Sequence, residues 1–278
     1  MARTTSPKNF NGLWHTQKGA TSSIRVRSCA RIVVIGDMKP DVTRTAEAVA
    51  ELVNEIEADV IVTTGDNARE SESYATDVGT YYPLAIYPTP GNHDVRAASL
   101  DAYTSYFKWL PTNGLTANRQ TWQRPVSDCV RLFGLNSTGV TESKLVSGTQ
   151  AAWLRAQSEL ATEPWQFCFF HNPPYTNSAG YSPDTDMQWG HGPGDPFEYM
   201  TAVFCGHVHH YERLLIGAKT YINNGAGAGT LYDFATSVNS MAQLKENGLV
   251  IIEATWGQCI IRFVNLDGLV RDELTITR

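Results

Sequence analysis

The stretch DVIVTTGDNA (residues 59–68) places a short apolar run directly before a glycine, an aspartate and an asparagine. Val60, Ile61 and Val62 are apolar and β-branched without alternation, which is typical of a strand buried on both faces. Asp66 follows where such a strand ends, and open α/β folds bind their ligands at the carboxyl ends of strands. The stretch therefore predicts an α/β fold with a polar site at the edge of a sheet.

Five more segments repeat this arrangement of an apolar run and a polar end. They are RIVVIGD (31–37), LAIYPTPGNHD (84–94), CVRLFGLNS (129–137), QFCFFH (166–171) and YMTAVFCGHVH (199–209). Apolar residues recur at helical spacing over 42–57 and, more loosely, over 149–160, so helices are expected between the strands. The alternation of strands and helices predicts an α/β layered sandwich.

The last part of the chain follows a different pattern. GLVIIEATW, QCIIRFVNLDG and LVRDELTITR alternate apolar and polar residues and are separated by short turns. This is typical of an antiparallel meander and predicts a second sheet. A chain of 278 residues fits one domain, which we expect over 23–278, behind a polar arm at 1–22.

Charge and hydropathy argue against several classes of function. A formal net charge of -6 leaves no broad basic surface, so nucleic acid is not an expected partner and phosphate chemistry would need bound cations. No run of about 18 apolar residues occurs, and the first residues lack the apolar segment of a signal peptide. We therefore expect no membrane partner and a cytoplasmic location, or another one reached without a cleavable signal peptide.

Polar side chains collect at the predicted strand ends. They are Asp37, Asp66, Asn92 with His93 and Asp94, His171, and His207 with His209. Carboxylate, amide and imidazole groups that converge at a sheet edge can bind metals. His207 and His209 lie two residues apart, so an extended strand would point both rings to one face, toward two neighbouring metals.

The motifs GD, GDN, GNHD, H and GHVH, in this order, resemble those of the calcineurin-like metallophosphoesterases. GDNA, PTPGNHD and GHVHHYER are most similar to the small purple-acid-phosphatase-like branch of the tartrate-resistant type, and the resemblance extends over about 31–230. It implies a four-layer α/β/β/α sandwich of two mixed sheets flanked by helices. It also implies hydrolysis of a small phosphorylated substrate.

The resemblance further implies two divalent metal ions, with Mn, Fe or Zn as the expected identities. The implied ligands are Asp37, Asp66, Asn92, His171, His207 and His209. Asp66 bridges the metals, Asp37 and His209 complete one half of the site, and the other three ligands complete the second half. Two cations about 3.5 to 4 Å apart acidify a bridging water, and the resulting hydroxide attacks phosphorus.

His93 and Asp94 are the candidate catalytic residues. We expect His93 to protonate the leaving alkoxide or to stabilise charge in the transition state; the alternative is that it orients Asn92. Asp94 would orient or polarise His93, or cap the following turn. Candidate substrate contacts are Asn92, His210, Lys39 and Arg69, with packing as the alternative for His210 and solvation or an ion pair for the two cations.

Two positions depart from the family pattern. Much of the family has Asp-x-His where this chain has Asp37, Met38 and Lys39, and purple acid phosphatases have a tyrosine where this chain has Arg69. The first metal then keeps three family ligands unless a further residue joins them, the candidates being Tyr74, Glu70 and Asp41. We therefore expect one tightly bound metal and one weak site.

Three functions are compatible with the sequence. A phosphomonoesterase comes first, because the most similar branch consists mostly of such enzymes. The alternatives are a phosphodiesterase acting on cyclic nucleotides or small phosphodiesters, and a catalytically impaired binding or structural protein that keeps the fold. The Pro- and Gly-rich segment 172–198 is long enough to form a wall of the site, with Trp189 and His191 as candidate specificity residues. Oligomeric partners are left open.

Overall fold

The computed structural model describes residues 29–38, 43–69, 74–80, 82 and 86–278. The predicted arm at 1–22 and the candidate residues Lys39, Asp41 and Glu70 lie outside this part of the chain. Within it, thirteen strands form two mixed sheets flanked by helices, which confirms the predicted fold class. No helix in these ranges combines the length and apolarity that a bilayer crossing requires.

The first sheet joins strands from both ends of the chain. Its strands are β1 (Ala30–Ile35), β2 (Val60–Thr63), β3 (Ile86–Pro88), β11 (Gly248–Ala254), β12 (Gln258–Asn265) and β13 (Val270–Thr277). Their order is β13-β12-β11-β1-β2-β3, with β1 to β3 parallel and the rest antiparallel. The meander therefore extends the sheet of β1 and does not form the predicted second sheet. The reason is that β1 has a second edge opposite β2, which the apolar strand β11 covers.

The second sheet is built from the middle of the chain. Its strands are β4 (Trp122–Ser127), β5 (Val130–Gly134), β6 (Trp165–Phe169), β7 (Ala202–Cys205), β8 (Tyr211–Ile216), β9 (Lys219–Asn224) and β10 (Ser240–Leu244). Their order is β10-β8-β9-β7-β6-β5-β4. Strands β5, β6, β7 and β9 are parallel neighbours, so the segments after β5, β6 and β7 leave the sheet at the same edge.

Helices and loops cover the outer faces. The helices are α1 (Thr43–Glu55), α2 (Tyr74–Asp77), α3 (Asp101–Tyr106) and α4 (Thr149–Leu160), the last with the predicted bounds. Residues of α1 such as Val49 and Val53 are buried in the core that contains the first sheet. Leu154 of α4 packs with Trp189 and Phe197, so part of the segment 172–198, which forms one 3-10 turn at Thr185–Met187 and no α-helix, covers the second sheet beside α4.

Strand β6 contributes side chains to two hydrophobic cores. Phe167 and Phe169 belong to the core that includes both sheets, whereas Cys168 and Phe170 belong to the core beneath α4. Successive side chains of a strand point to opposite faces, so a continuously apolar strand fills two cores at once. The run QFCFF therefore marks an interior strand of the second sheet.

An ion pair fastens the two sheets to each other. Asp272 of β13 accepts hydrogen bonds from the Tyr211 hydroxyl at 2.7 Å and from Arg213 Nε at 2.6 Å, both on β8. Burial alone would raise the pKa of Asp272, but hydrogen bonds from Arg213 and Tyr211 outweigh it and lower that pKa below its usual value. The ion pair joins the second sheet, at β8, to the first sheet, at β13. Strand β8 begins two residues after His209 in the sequence.

We expect Asp272→Asn to lower the melting temperature at neutral pH by about 2–4 °C, the shift that ~1 kcal/mol produces in a chain of this size. The folded-state pKa lies below the unfolded value of about 3.9, so the ionised carboxylate stabilises the fold fully above that value. This contribution disappears as the pH falls through the folded-state pKa. Thermal melts should show a difference between variant and wild type that shrinks below about pH 4. Asp267→Asn, at an exposed turn, is the control; a difference that does not depend on pH would contradict the expectation.

Candidate active site

Side chains predicted as ligands meet where the carboxyl edges of the two sheets come together. Asp37 follows β1, Asp66 follows β2, Asn92 follows β3, His171 follows β6, and His207 and His209 follow β7. Asp37, Asp66, His171 and His209 are almost completely buried, whereas Asn92 and His93 are exposed. The site thus has a buried floor and an exposed rim.

Four side chains converge in one half of the site. Asn92 Oδ1 lies 2.9 Å from His171 Nε2 and 3.0 Å from His207 Nδ1. The two imidazole nitrogens are 3.2 Å apart, and Asp66 Oδ1 lies 3.3 Å from His171 Nε2. Burial and the neighbouring His171 lower the pKa of His207 to about 4, so its ring is neutral at neutral pH.

The tautomer of His171 follows from its other nitrogen. His171 Nδ1 lies 2.8 Å from the carbonyl oxygen of Thr64, which can only accept a hydrogen bond. We therefore assign the proton to Nδ1, and in the neutral ring Nε2 then presents a lone pair to Asn92 and Asp66. Lone pairs aimed at one another are unfavourable without a cation between them, and a backbone carbonyl on the far nitrogen is the usual partner of a metal-binding histidine.

Asp37 and His209 form the other half. His209 Nδ1 lies 2.9 Å from the Thr230 carbonyl oxygen, so its Nε2 also presents a lone pair in the neutral ring. That Nε2 lies 3.3 Å from Asp37 Oδ1, a buried oxygen that accepts no hydrogen bond from any described residue. Asp37 Oδ2, by contrast, accepts the backbone N–H of His207 at 2.7 Å.

The donor set fits a metal. Asp37, Asp66 and His171 each offer one ligand atom, and these atoms lie within 4.8 Å of one another. Buried carboxylate oxygens and imidazole nitrogens suit the divalent transition metals, and Asp37 Oδ1, which accepts no hydrogen bond from a described residue, is an atom that such an ion would satisfy. These three residues could therefore hold a metal ion.

Three of the predicted ligands adopt a left-handed backbone conformation. The φ angles are 53° at Asp37, 53° at Asp66 and 69° at His207. Non-glycine residues rarely adopt such angles, and those that do are concentrated at functional sites. The expectation of an extended strand through His207 and His209 was wrong, because the chain bends over 207–210 between β7 and β8. The two rings reach different halves of the site through this bend.

Asp94 has a different neighbourhood from the predicted one. Its buried carboxylate accepts hydrogen bonds from the backbone N–H groups of Gly91 at 2.7 Å and Asp66 at 3.0 Å, and from the Tyr74 hydroxyl at 2.8 Å. Burial and the charge of Asp66 raise the pKa of Asp94 to about 7. The carboxylate thus fixes the backbone of the loop that carries Asp66, rather than orienting the His93 ring.

His93 lies at the rim with its ring partly in solvent. Its backbone N–H donates to Asp66 Oδ1 at 2.9 Å, and its Nε2 lies 3.8 Å from Asp66 Oδ2. The opposite nitrogen, Nδ1, lies 3.3 Å from the carbonyl oxygen of Arg69. His93 is therefore the exposed imidazole nearest to Asp66 among the described residues, in a position to meet a substrate.

The predicted cationic and histidine contacts to substrate are arranged differently. Arg69 pairs with buried Asp77, its Nη2 lying 3.2 Å from Asp77 Oδ1. Its backbone N–H donates to the same carboxylate at 2.9 Å. His210 is fully buried and stacks on Phe234 with ring centroids 4.1 Å apart, and burial lowers its pKa to about 4. Arg69 is held by Asp77, and His210 packs in the interior.

Three further candidates do not supply the expected contacts. Trp189 is buried and its indole N–H donates to the Lys144 carbonyl at 2.8 Å, because it packs under the second sheet and not at the site. His191 lies beside Tyr221 in that same outer layer. Tyr74 does not supplement the first metal, since its hydroxyl binds Asp94.

Two tyrosines at the site were missed by sequence reasoning. Tyr181 places its ring 4.6 Å from the His207 ring, and Tyr232 stacks on His209 at 4.4 Å with an interplanar angle of 10°. The only signal near Tyr232 is the glycine-rich run GAGAG before it. Added side-chain atoms at the last of these glycines, Gly229, would collide with the His209 ring.

Comparison with known proteins agrees with this geometry. The sequence model of the calcineurin-like phosphoesterase family matches residues 30–211, and the chain belongs to this family. The chain is therefore classed with the metallophosphoesterases, and its cluster of Asp37, Asp66 and His171 could hold a metal ion. A search of curated proteins finds no match.

Solved structures share the fold at low sequence identity. The chain is similar to the purple acid phosphatase PPD1 of yellow lupin (Lupinus luteus) seeds, with TM-score 0.74 and 16% identity over 91% of this chain and 54% of that one. It therefore spans about half of the lupin chain. It is also similar to GAP50 of Plasmodium (TM-score 0.66, 13% identity, 90% of this chain and 89% of that one) and to a dimetal phosphatase of Danio rerio (0.58, 11%, 90% and 99%).

The arrangement of Arg69 and Tyr74 predicts a colourless protein. The resemblance to purple acid phosphatases implies a tyrosine at the position of Arg69. In this chain the Arg69 side chain pairs with Asp77 instead. We expect the iron-loaded protein to lack a visible tyrosinate-to-iron band. An Arg69→Tyr variant, loaded in the same way, is the reference for the band in absorption spectra. A visible band in the wild type would contradict the prediction.

The two halves of the site are unequal in ligands. Asp66, Asn92, His171 and His207 converge on one side, while Asp37 and His209 face each other on the other. We expect one metal per chain to survive exhaustive dialysis and a second to bind only when metal is supplied. Elemental analysis of the dialysed protein measures this ratio. Two retained metals per chain would show that the halves are equivalent in affinity.

Proposed function

We propose that this chain is a phosphomonoesterase that uses two metals held by Asp37, Asp66, Asn92 and the three histidines. The observation that carries the proposal is the convergence of His171 Nε2, His207 Nδ1 and Asn92 Oδ1 next to Asp66, whose other carboxylate oxygen lies 3.8 Å from the exposed ring of His93. Metals bound there would supply an acidified water as nucleophile and neutralise charge on the phosphoryl group. The remaining chemistry belongs to side chains of the chain.

His93 is the residue to which we assign the proton transfer. Its Nδ1 faces the Arg69 carbonyl, which fixes a proton on that nitrogen and leaves Nε2 on the side of Asp66. A protonated Nε2 would donate to the leaving oxygen of the ester, and general acid catalysis of this kind contributes about 10²- to 10⁴-fold. Asn92, exposed at the rim, would contact the phosphoryl group as well as a metal.

Asp94 supports this arrangement from behind. Its carboxylate accepts hydrogen bonds from the backbone N–H groups of Gly91 and Asp66, and so joins the loop that carries Asn92 to the loop that carries Asp66. Both loops are therefore bonded to the same carboxylate. The expected role of Asp94 is to position the ligands, and it does not touch the substrate.

A phosphodiesterase is the second candidate function. Arg69 is paired with Asp77 and His210 is buried, so neither adds positive charge for a phosphate dianion. Among the described residues, a monoester then has His93 and Asn92 as its contacts beside the metals. A diester carries one charge less and needs fewer such contacts, which is what favours this alternative.

The test compares two chromogenic substrates under the same conditions. Purified protein is supplied with manganese, and kcat/KM is measured for p-nitrophenyl phosphate and for bis-p-nitrophenyl phosphate, with Asp66→Asn as the control for contaminating activity. Faster hydrolysis of the monoester supports the proposal. Faster hydrolysis of the diester replaces it with the second candidate.

Absence of Asp66-dependent turnover with both substrates would favour a protein that binds without catalysis. The small ligand set around Asp37 and His209 is the feature that favours this outcome. GAP50 of Plasmodium, whose structure is similar at the level of fold, is described as an anchor. Metal-dependent turnover in the wild type excludes this alternative.

A further inference from the structure

Tyr181 and Tyr232 form an aromatic pair beside two of the proposed metal ligands. Their ring centroids are 5.2 Å apart with an interplanar angle of 34°. Tyr232 lies flat against His209, and Tyr181 meets the ring of His207 at an angle of 67°. The pair therefore borders both halves of the site from one side, and we refer to these two residues as the tyrosine pair.

The two tyrosines come from segments that are joined to each other. The backbone N–H of Ala179 donates to the Asp233 carbonyl at 2.8 Å, and that of Ala235 donates to the Asn177 carbonyl at 2.8 Å. These bonds lie on both sides of an isolated bridge between Ser178 and Phe234. The loop with Tyr181 is thus fixed to the segment with Tyr232 by backbone pairing.

Buried Glu212 anchors the same junction to the second sheet. Its carboxylate accepts the backbone N–H of Asn177 at 3.0 Å and the side-chain amide of Asn177 at 2.7 Å. It also accepts the hydroxyl of Ser240 at 2.9 Å and the amide of Gln243 at 3.0 Å. A carboxylate satisfied by so many donors holds the loop in a defined position, which pre-organises the tyrosine pair.

Exposure shows what the pair can contact. The candidate ligands Asp37, Asp66, His171 and His209 are buried, so a phosphoryl group that reaches them must leave its organic substituent at the rim. Tyr181 is 41% exposed at that rim. An exposed aromatic ring that the backbone holds in place stacks on planar aromatic groups more favourably than on alkyl chains of similar size.

We propose that the tyrosine pair is a specificity subsite that binds a planar aromatic substituent of the phosphate ester, as in aryl or nucleoside phosphates. The proposal rests on the proposed function, since it assigns the substrate class of the same site. Tyr181 supplies the exposed stacking face, and Tyr232 supports it from beneath while holding His209. Aliphatic phosphate esters reach the same ligands without this contact.

The test uses inhibitors that are not hydrolysed, because aryl and alkyl leaving groups differ in reactivity. Inhibition constants of phenylphosphonate and methylphosphonate are measured for the manganese-supplied wild type, Tyr181→Phe, Tyr181→Leu and Tyr181→Ala. We expect Tyr181→Ala to raise the inhibition constant of phenylphosphonate by roughly 2- to 10-fold and to leave that of methylphosphonate unchanged. Tyr181→Phe should retain the preference for phenylphosphonate over methylphosphonate, and Tyr181→Leu should lose most of this preference. Tyr199→Ala, at an exposed tyrosine in the loop before β7, is the matched control.

The outcomes separate this inference from the proposed function. If both inhibitors weaken equally in Tyr181→Ala, or if neither changes, the subsite proposal is wrong while hydrolysis stands. If Tyr181→Leu keeps the full preference, the contact is apolar and not aromatic, which also overturns the proposal. If the wild type hydrolyses no phosphate ester, the proposed function fails, and isothermal titration of phenylphosphonate then tests the tyrosine pair alone, with the same variants and the same expectation.

Discussion

The Asp66→Asn variant is expected to lose at least about a thousandfold of kcat/KM toward phosphate esters. Asp66 is buried, its Oδ1 lies 3.3 Å from His171 Nε2, and it is one of the three residues whose ligand atoms cluster within 4.8 Å. Asparagine keeps the shape of the side chain but removes the negative charge that would offset the repulsion between two bound cations. Steady-state kinetics with added manganese measure the loss of turnover, and elemental analysis measures the loss of bound metal.

Asp101→Asn is the matched control for this variant. Asp101 is exposed at the start of α3, so the same chemical change there should leave kcat/KM and metal content unaltered. Circular dichroism should show the same secondary structure for both variants. Normal turnover by Asp66→Asn at saturating manganese would remove Asp66 from the catalytic site.

His93→Ala is expected to lower kcat by about 10²- to 10⁴-fold while metal content stays the same. The ring is exposed at the rim with its Nε2 3.8 Å from Asp66 Oδ2, a position from which it can donate a proton to a substrate bound above Asp66. A residue that protonates the leaving oxygen matters most when that oxygen is strongly basic. The loss should therefore be larger for glycerol phosphate than for p-nitrophenyl phosphate.

The substrate dependence distinguishes catalysis from positioning. If His93 only orients Asn92, then His93→Ala should lower metal content and slow both substrates equally. His191→Ala is the control, because His191 lies in the outer layer beside Tyr221 and should alter neither rate. An equal loss with both substrates would assign His93 to positioning.

Much of the fold could be predicted from local pattern. Each apolar run before a polar end became a strand, and α4 covers the predicted residues Thr149–Leu160. The partner of β1 could not be predicted, because β11 lies more than two hundred residues further along the chain and both strands are apolar on both faces. Periodicity identifies a buried strand but does not say which buried strand lies beside it.

The candidate site shows a similar limit. The residues that the resemblance implied as ligands do meet, since the carboxyl edges of the two sheets come together and bring the strand ends close. Their neighbours were less predictable: Arg69 pairs with Asp77, and Asp94 binds Tyr74, because side-chain partners depend on loop paths rather than on sequence order. The bend at His207 was missed because its left-handed backbone is set by tertiary packing. At the preceding Gly206, Thr64 and Asp37 leave no space for a side chain.

The left-handed backbone at Asp37, Asp66 and His207 lowers the stability of the fold at residues that the proposed activity requires. Such a conformation costs each non-glycine residue about 1–3 kcal/mol, a cost that glycine avoids. Selection for thermostability alone would therefore tend to replace the very residues that the chemistry requires, and an engineering campaign that ranks variants by melting temperature would enrich inactive ones. Stabilising substitutions in this scaffold are best sought away from the strand ends, with activity measured at every round.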